Sequence, residues 1–118
     1  GVVALITGKY PKRSTTLTET GSFVPGDSIV FRATIKNLSG QPVAGATARI
    51  AVTGKQNVTV LTGPSNADGV SEGIWKTSAP SRKSAGTPLG TYTGTVSGVT
   101  ASGYVWDGVA KTVTVELK

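Results

Sequence analysis

Hydrophobic and polar residues alternate along this chain, and the clearest alternation covers residues 27–37. Ile29, Phe31, Ala33 and Ile35 occupy every second position, and three of the four residues interleaved with them are polar. A period of two sends successive side chains to opposite faces of a β-strand, so that one face is buried and the other meets solvent. No segment of helical period competes with this pattern. The chain is therefore predicted to be all-β.

The same pattern, together with an apolar run at residues 2–6 and a β-prone segment at residues 15–20, predicts further strands, which are separated by turn residues. The strand-forming segments are residues 2–6, 15–20, 29–35, 46–53, 58–62, 70–77, 91–96 and 111–117. Residues 2–6 could be an edge strand, a sheet-switching strand or a linker, and the pattern leaves these alternatives open. Seven or eight strands with turns every eight to twelve residues are typical of an antiparallel β-sandwich.

Two strands carry finer predictions. In residues 70–77 we expect Trp75 to face the core, because the opposite register would bury Glu72 without a partner. Gly98 suggests a β-bulge at the end of the strand that begins near Thr91. Tyr92, just after Gly90, is predicted to be a structural residue whose buried hydroxyl bonds back to a loop backbone, with ligand contact as the alternative.

A short hairpin is predicted near the C-terminus, where Asp107-Gly108 lies between β-prone residues. Tyr104 and Trp106 share a parity there and would project from one face of this last hairpin. Exposed aromatic rings in such a place can stack on sugars or anchor a protein partner, which makes these two residues the candidate ligand site. The alternative is that both rings cover the edge of their own module or pack against a neighbouring domain.

Composition argues against catalysis. The 118 residues are enough for one domain, residues 1–118, with a core that needs no covalent staples. The chain has no cysteine and no histidine, which removes thiol nucleophiles and the commonest general base and metal ligand. No serine lies in a G-x-S-x-G motif, and the six acidic residues are scattered. We therefore predict that the protein is not an enzyme.

The charge balance is basic but dispersed. Twelve Lys and Arg residues oppose six acids, for a net charge of +6. The densest groups, residues 9–13 and 82–83, fall short of the run of basic residues expected of a nucleic-acid-binding arm. A solubilising surface is the favoured interpretation, and no nucleic-acid partner is predicted. No apolar run is long enough to span a bilayer, so no membrane insertion is predicted either.

A calcium site is the one cofactor that the sequence leaves open. Asn66 and Asp68 lie in a turn cluster and could supply oxygen ligands, with Asp27 or Asp107 as further donors. The spacing matches no EF-hand loop. Ordinary turns, in which Asn and Asp side chains bond to their own backbone, are the favoured interpretation.

Several motifs together resemble bacterial Ig-like modules of the invasin-like and macroglobulin-like kinds. The resemblance covers residues 22–117 and depends on the order and spacing of its motifs. They are Pro25-Gly26-Asp27 before a strand, Gly40-Gln41-Pro42-Val43-Ala44-Gly45-Ala46, Ala67-Asp68-Gly69-Val70 leading to Ile74-Trp75-Lys76-Thr77, Pro88-Leu89-Gly90-Thr91-Tyr92, and Ala101-Ser102-Gly103-Tyr104. The loop 78–87 departs from the family pattern.

The resemblance implies an immunoglobulin-like sandwich that serves as a non-catalytic accessory or spacer module of a secreted or cell-surface bacterial protein, either a hydrolase or an adhesin. The chain begins at Gly1 without Met, and we expect it to be a piece of a larger multidomain protein. The expected partners are neighbouring domains, with a polysaccharide or a host surface protein as further possibilities. Two alternative functions stay open: a carbohydrate-binding module and an adhesin domain that binds a host protein.

Overall fold

Nine β-strands and no helix form from the alternating segments in the computed structural model, which describes residues 1–118. The strands are β1 (Val2–Lys9), β2 (Thr18–Glu19), β3 (Ser22–Phe23), β4 (Ser28–Ile35), β5 (Thr47–Thr53), β6 (Val58–Leu61), β7 (Val70–Lys76), β8 (Gly90–Thr100) and β9 (Thr112–Leu117). The all-β class predicted from the alternation is confirmed. The fold contains no helix of the length and apolarity that a membrane span requires.

The strands form two sheets that pack as a sandwich. One has the order β2-β1-β4-β7, and the other has the order β3-β9-β8-β5-β6. Neighbouring strands are antiparallel except β3 and β9, which pair in parallel through Ser22–Glu116 and Phe23–Leu117. The chain changes sheets between β2 and β3, between β3 and β4, between β4 and β5, between β6 and β7 and between β7 and β8.

The two ends of the sandwich carry different connections. The N-terminal end contains the start of β1, which pairs with the end of β4 through Val2 and Ile35, and the connections 36–46, 62–69 and 101–111. The C-terminal end contains the end of β9, which pairs with the start of β8 through Leu117 and Gly90, and the connections 10–17, 24–27, 54–57 and 77–89. The molecule is elongated, with extents of 51, 31 and 19 Å.

The inward faces build two hydrophobic clusters. The C-terminal cluster comprises Phe23, Ile29, Phe31, Ile50, Val52, Val60, Trp75, Tyr92, Val115 and Leu117. The N-terminal cluster comprises Val2, Ala33, Ile35, Val43, Ala46, Ala48 and Val96. Leu5 packs against both clusters and joins them. The alternation in β4 and β5 therefore identified the buried face of each strand, because burial of one face is what imposes that pattern on a sequence.

Residues 2–6, whose place was open, are part of the sandwich. They belong to β1, which extends to Lys9 and pairs with both β2 and β4. The segment 15–20 contributes less than its β-propensity suggests, since only Thr18 and Glu19 form a strand.

The bulge predicted near Gly98 is confirmed. Ile50 pairs with Val96 and Arg49 pairs with Gly98, so that Ser97 is the extra residue on β8. An extra residue shifts the alternation by one position. The shift turns Val99 inward, where it packs against the N-terminal cluster.

The short hairpin predicted around Asp107-Gly108 is wrong. Residues 101–111 form one long connection without strands between β8 and β9. Asp107 and Gly108 do form a turn, in which the Asp107 carboxylate accepts a 3.0 Å hydrogen bond from the Val109 N–H and Gly108 has a φ of 78°. No strands flank it, because Trp106 packs down against the N-terminal cluster and draws the chain away from an extended path.

The register predicted for residues 70–77 is confirmed. Trp75 and Ser71 are buried, and Glu72 lies on the outer face beside Arg32, its pairing partner on β4. The Glu72 carboxylate accepts a 2.7 Å bond from Arg32 Nε and a 2.6 Å bond from the Tyr10 hydroxyl. Glu72 therefore has partners, and they lie on the outer face of the sheet.

Candidate ligand-binding cleft at the N-terminal end

A cleft of about 450 Å³ opens at the N-terminal end of the sandwich. The connections 36–46 and 101–111 form its walls, together with the first residue of the chain. Its lining residues are Gly1, Ile35, Lys36, Asn37, Leu38, Val43, Val99, Ala101, Gly103, Tyr104, Val105, Trp106 and Asp107. Both candidate aromatic residues, Tyr104 and Trp106, line this one cleft.

Trp106 forms part of the cleft floor. Its ring packs against the N-terminal cluster, and its indole Nε1 is buried without a hydrogen-bond partner. An indole N–H buried without an acceptor costs about 1–3 kcal/mol, which the apolar contacts of the ring must offset. The ring is engaged by the protein's own core, in keeping with the alternative that it covers the edge of its own module.

Tyr104 is more accessible. Its backbone N–H closes a turn on the Ala101 carbonyl at 3.1 Å, and its side chain is about half exposed. The turn passes through Gly103, which has a φ of 82° that favours glycine. The Tyr104 ring is thereby held at the cleft with a free face.

Two aliphatic side chains stand beside the cleft and meet solvent completely. Leu38 is 101% exposed and Val105 is 96% exposed. Leu38 lies at the tip of a tight turn in which the Asn37 side-chain oxygen accepts bonds from the N–H groups of Ser39 and Gln41. The turn is held by its own hydrogen bonds, and the Leu38 side chain makes no buried contact that would stabilise the fold. Sequence reasoning missed both residues, because exposure of a single Leu or Val within a loop leaves no periodic signal.

Some polar groups of the cleft are engaged within the protein. The Gly1 nitrogen donates a 2.7 Å bond to the Lys36 carbonyl. Asn37 is occupied by its turn. Eight of the 13 lining residues are hydrophobic, and the cleft is therefore suited to an apolar group.

The candidate calcium residues form a turn. The Asn66 side-chain oxygen accepts bonds of 2.9 Å from the Asp68 N–H and 3.1 Å from the Val70 N–H. Both of its lone pairs are thus directed at backbone donors, which leaves Asp68 as the only side-chain ligand of the pair. The structure contains no group of three or more His, Cys, Asp or Glu side chains arranged to hold a metal. Asn66 and Asp68 do not fit a calcium ion by themselves.

Tyr92 and Trp75 lie away from the cleft, in the C-terminal cluster. The Tyr92 hydroxyl donates a 2.6 Å bond to the Pro88 carbonyl, which is the loop-backbone contact predicted for it. The Trp75 and Tyr92 rings meet edge to face with centroids 4.9 Å apart. Burial raises the pKa of Tyr92 above its ordinary value. Both residues act in the core, at the far end of the molecule from Tyr104.

Comparison with known proteins adds no family assignment. No protein-family model, curated protein sequence or solved structure gives a significant match to this chain. Inference about function therefore depends on the geometry of the fold and of the cleft.

Proposed function

We propose that the chain is an immunoglobulin-like, non-catalytic accessory module that acts as a spacer within a larger secreted or cell-surface protein. The strand order supports the immunoglobulin-like part of the proposal. The order β1-β4-β7 opposite β9-β8-β5 corresponds to strands A-B-E opposite G-F-C in immunoglobulin domains. The hydrogen bond from Tyr92 to a carbonyl four residues upstream corresponds to the tyrosine corner of such domains.

The spacer role is carried by one observation: the polypeptide runs from one end of an elongated body to the other. Strand β1 starts at the N-terminal end, β9 finishes at the C-terminal end, and the body between them is 51 Å long. Modules joined through such ends extend in a line, because each one adds its long axis to the chain of domains. A rigid sandwich in that position sets the distance between its neighbours.

Small-angle X-ray scattering of two copies joined directly in tandem tests this role. An extended pair would have a maximum dimension near twice the 51 Å long axis, about 100 Å. The matched control joins the copies through a long Gly/Ser linker, which samples compact arrangements as well. A directly joined pair that folds back to little more than the single-module dimension would refute the spacer role.

Ligand recognition at the N-terminal cleft is a second candidate function, and the exposed Leu38 and Val105 favour it. Exposed aliphatic residues beside a cleft that contains Tyr104 are typical of a protein-binding surface. A carbohydrate is the weaker ligand class, because Trp106 packs into the core and only Tyr104 offers a ring for stacking. An adhesin-like role through this end is therefore preferred over a carbohydrate-binding one.

Binding to a panel of immobilised glycans and extracellular-matrix proteins tests the second candidate. The Tyr104→Ala and Leu38→Ala variants should lose binding to a protein ligand, and Leu61→Ala, an exposed leucine on β6, should keep it. Saturable binding to a glycan that Tyr104→Ala abolishes would assign the cleft to carbohydrate instead. Saturable binding of either kind would also overturn a purely mechanical role.

A further inference from the structure

The fold gathers basic residues that are dispersed in the sequence. Eight of the twelve Lys and Arg residues lie at the C-terminal end of the sandwich, on its connections, on the last residues of its strands or directly after β9. These residues, called the basic end below, are Lys9, Lys12, Arg13, Lys55, Lys76, Arg82, Lys83 and Lys118. Only three of the six acids, Glu19, Asp27 and Glu116, share this end.

Most of these cations are free to meet a partner. Lys9 alone has a carboxylate within 4 Å, that of Asp27 at 3.4 Å, and the other seven residues are exposed. The acids of this end have engagements of their own: Asp27 also accepts a bond from the Val24 N–H, and Glu116 accepts one from the Thr91 hydroxyl. The basic end is therefore not neutralised by the protein itself.

The arrangement is two-dimensional, and it includes apolar side chains. The cations come from connections of both sheets, across the 31 by 19 Å cross-section of the body. Val24 and Leu89 lie on connections at the same end, and each is 55% exposed. Of the two sizeable clefts, one lies at the N-terminal end and the other along the side, where Leu5, Ile6 and Thr114 line it and Glu19 is its one contact with the basic end.

We propose that the basic end docks on an anionic lipid surface. Cations spread over an area, with two exposed aliphatic side chains among them, match a plane of negative headgroups with an apolar layer beneath. A linear polyanion binds best in a positively charged groove, and a single-stranded nucleic acid also needs exposed aromatic rings on which its bases can stack. The one exposed aromatic residue on these connections, Tyr10, is held by Glu72 at 2.6 Å.

The expected binding is reversible and sensitive to salt. Each basic residue near an anionic bilayer contributes a factor of roughly five to the partition coefficient, and the attraction falls off within about 10 Å at 0.1 M salt. In a tandem array, only a module whose C-terminal end is not covered by a neighbour would dock in this way. Its long axis would then stand away from the surface, with the N-terminal cleft facing outward.

Vesicle co-sedimentation tests the proposal with matched charge reversals. We expect the protein to sediment with vesicles of phosphatidylcholine containing phosphatidylserine, and to stay in solution with pure phosphatidylcholine. Arg82→Glu combined with Lys83→Glu should lower the partition coefficient at least tenfold. Lys36→Glu combined with Lys111→Glu, the same charge change at the N-terminal end, should change it less than about threefold. Circular dichroism verifies that each variant is folded.

A third variant, Leu89→Ser, and two soluble polyanions, dextran sulfate and single-stranded DNA, separate this proposal from simple charge attraction. Leu89→Ser, which leaves the charge unchanged, should lower vesicle binding severalfold, because the aliphatic side chain enters the interface. The proposal is overturned if anionic vesicles do not bind the folded protein, or if the two charge-reversal pairs weaken binding equally. It is also overturned if dextran sulfate or single-stranded DNA binds while vesicles do not. None of these outcomes bears on the tandem scattering test of the spacer role.

Discussion

Tyr92 has a ring that is fully buried and a hydroxyl that reaches out of the core to the Pro88 carbonyl at 2.6 Å. Tyr92→Phe keeps the ring and its edge-to-face contact with Trp75 but removes that bond. We expect the free energy of unfolding to fall by about 1–2 kcal/mol, the usual effect of deleting one partner of a partly buried hydrogen bond. Urea denaturation measures it as a lower midpoint with an unchanged slope.

The control for that change is Tyr104→Phe, which removes the hydroxyl of a half-exposed tyrosine at the other end of the molecule. Its effect should lie within about 0.5 kcal/mol of zero. An unchanged midpoint in Tyr92→Phe would mean that water satisfies the Pro88 carbonyl equally well. The hydrogen bond would then orient the Tyr92 side chain without adding stability.

Two tyrosines predict a loss of stability at alkaline pH. The pKa of Tyr10 is raised first by its hydrogen bond to Glu72 and then by desolvation, and burial raises the pKa of Tyr92. Both groups hold their protons more tightly in the folded state, so their contribution is complete below pH of about 10 and is lost as the pH rises through the folded pKa. The unfolding free energy should therefore decline as the pH rises above about 10, and less steeply in Tyr92→Phe and Tyr10→Phe. Equal slopes in all three proteins would contradict the assignment.

At the scale of elements, the bulge in β8 determines which residues at the end of that strand face the core. Deletion of Ser97 removes the extra residue and leaves Val96 and Val99 inward in a regular ladder. The cost should be small, about 1 kcal/mol, for the lost bond from the Ser97 hydroxyl to the Arg49 carbonyl. Deletion of Thr95, within the regular part, shifts one side of the strand to the wrong face and should prevent folding. Thermal denaturation compares the two deletions. A lower melting temperature for the Ser97 deletion than for the Thr95 deletion would refute this account.

Trp106 joins the 101–111 connection to the core, and two substitutions separate its ring from its N–H group. Trp106→Ala removes the apolar contacts and should cost about 3 kcal/mol. Trp106→Phe keeps a ring and removes the unpaired donor, so the unfolding free energy should change by less than about 1 kcal/mol. If both substitutions cost the same in urea denaturation, the indole N–H has an acceptor after all.

Sequence reasoning succeeded where burial alone decides a pattern and failed where a distant contact decides it. The inward faces of β4, β5 and β7 were predictable because a strand with one buried face must alternate. The hairpin expected at Asp107 was a local inference, and the contact between Trp106 and a cluster formed by β1, β4, β5 and β8 overrides it. The place of residues 2–6 was open for the same reason, since an apolar run suggests a strand without naming its neighbour. Part of the cleft was predictable from the sequence, because Tyr104 and Trp106 were candidate site residues. The presence of Leu38 beside them was not, because only the fold brings its loop next to theirs.

At the scale of the whole molecule, each hydrophobic cluster contains or contacts one tryptophan, Trp75 for the C-terminal cluster and Trp106 for the N-terminal cluster. The clusters are joined through Leu5 and through strands β4, β5 and β8, which contribute to both, so we expect them to unfold as one unit. Trp106→Phe leaves a fluorescent reporter on one cluster, and Trp75→Phe leaves one on the other. In each variant the fluorescence transition in urea should coincide with the far-ultraviolet circular dichroism transition. A Trp106 signal that disappears at lower urea than the sheet signal would show that the N-terminal end opens separately. In that case the candidate cleft would lie in the less stable half of the module, and its ligand would have to order it on binding.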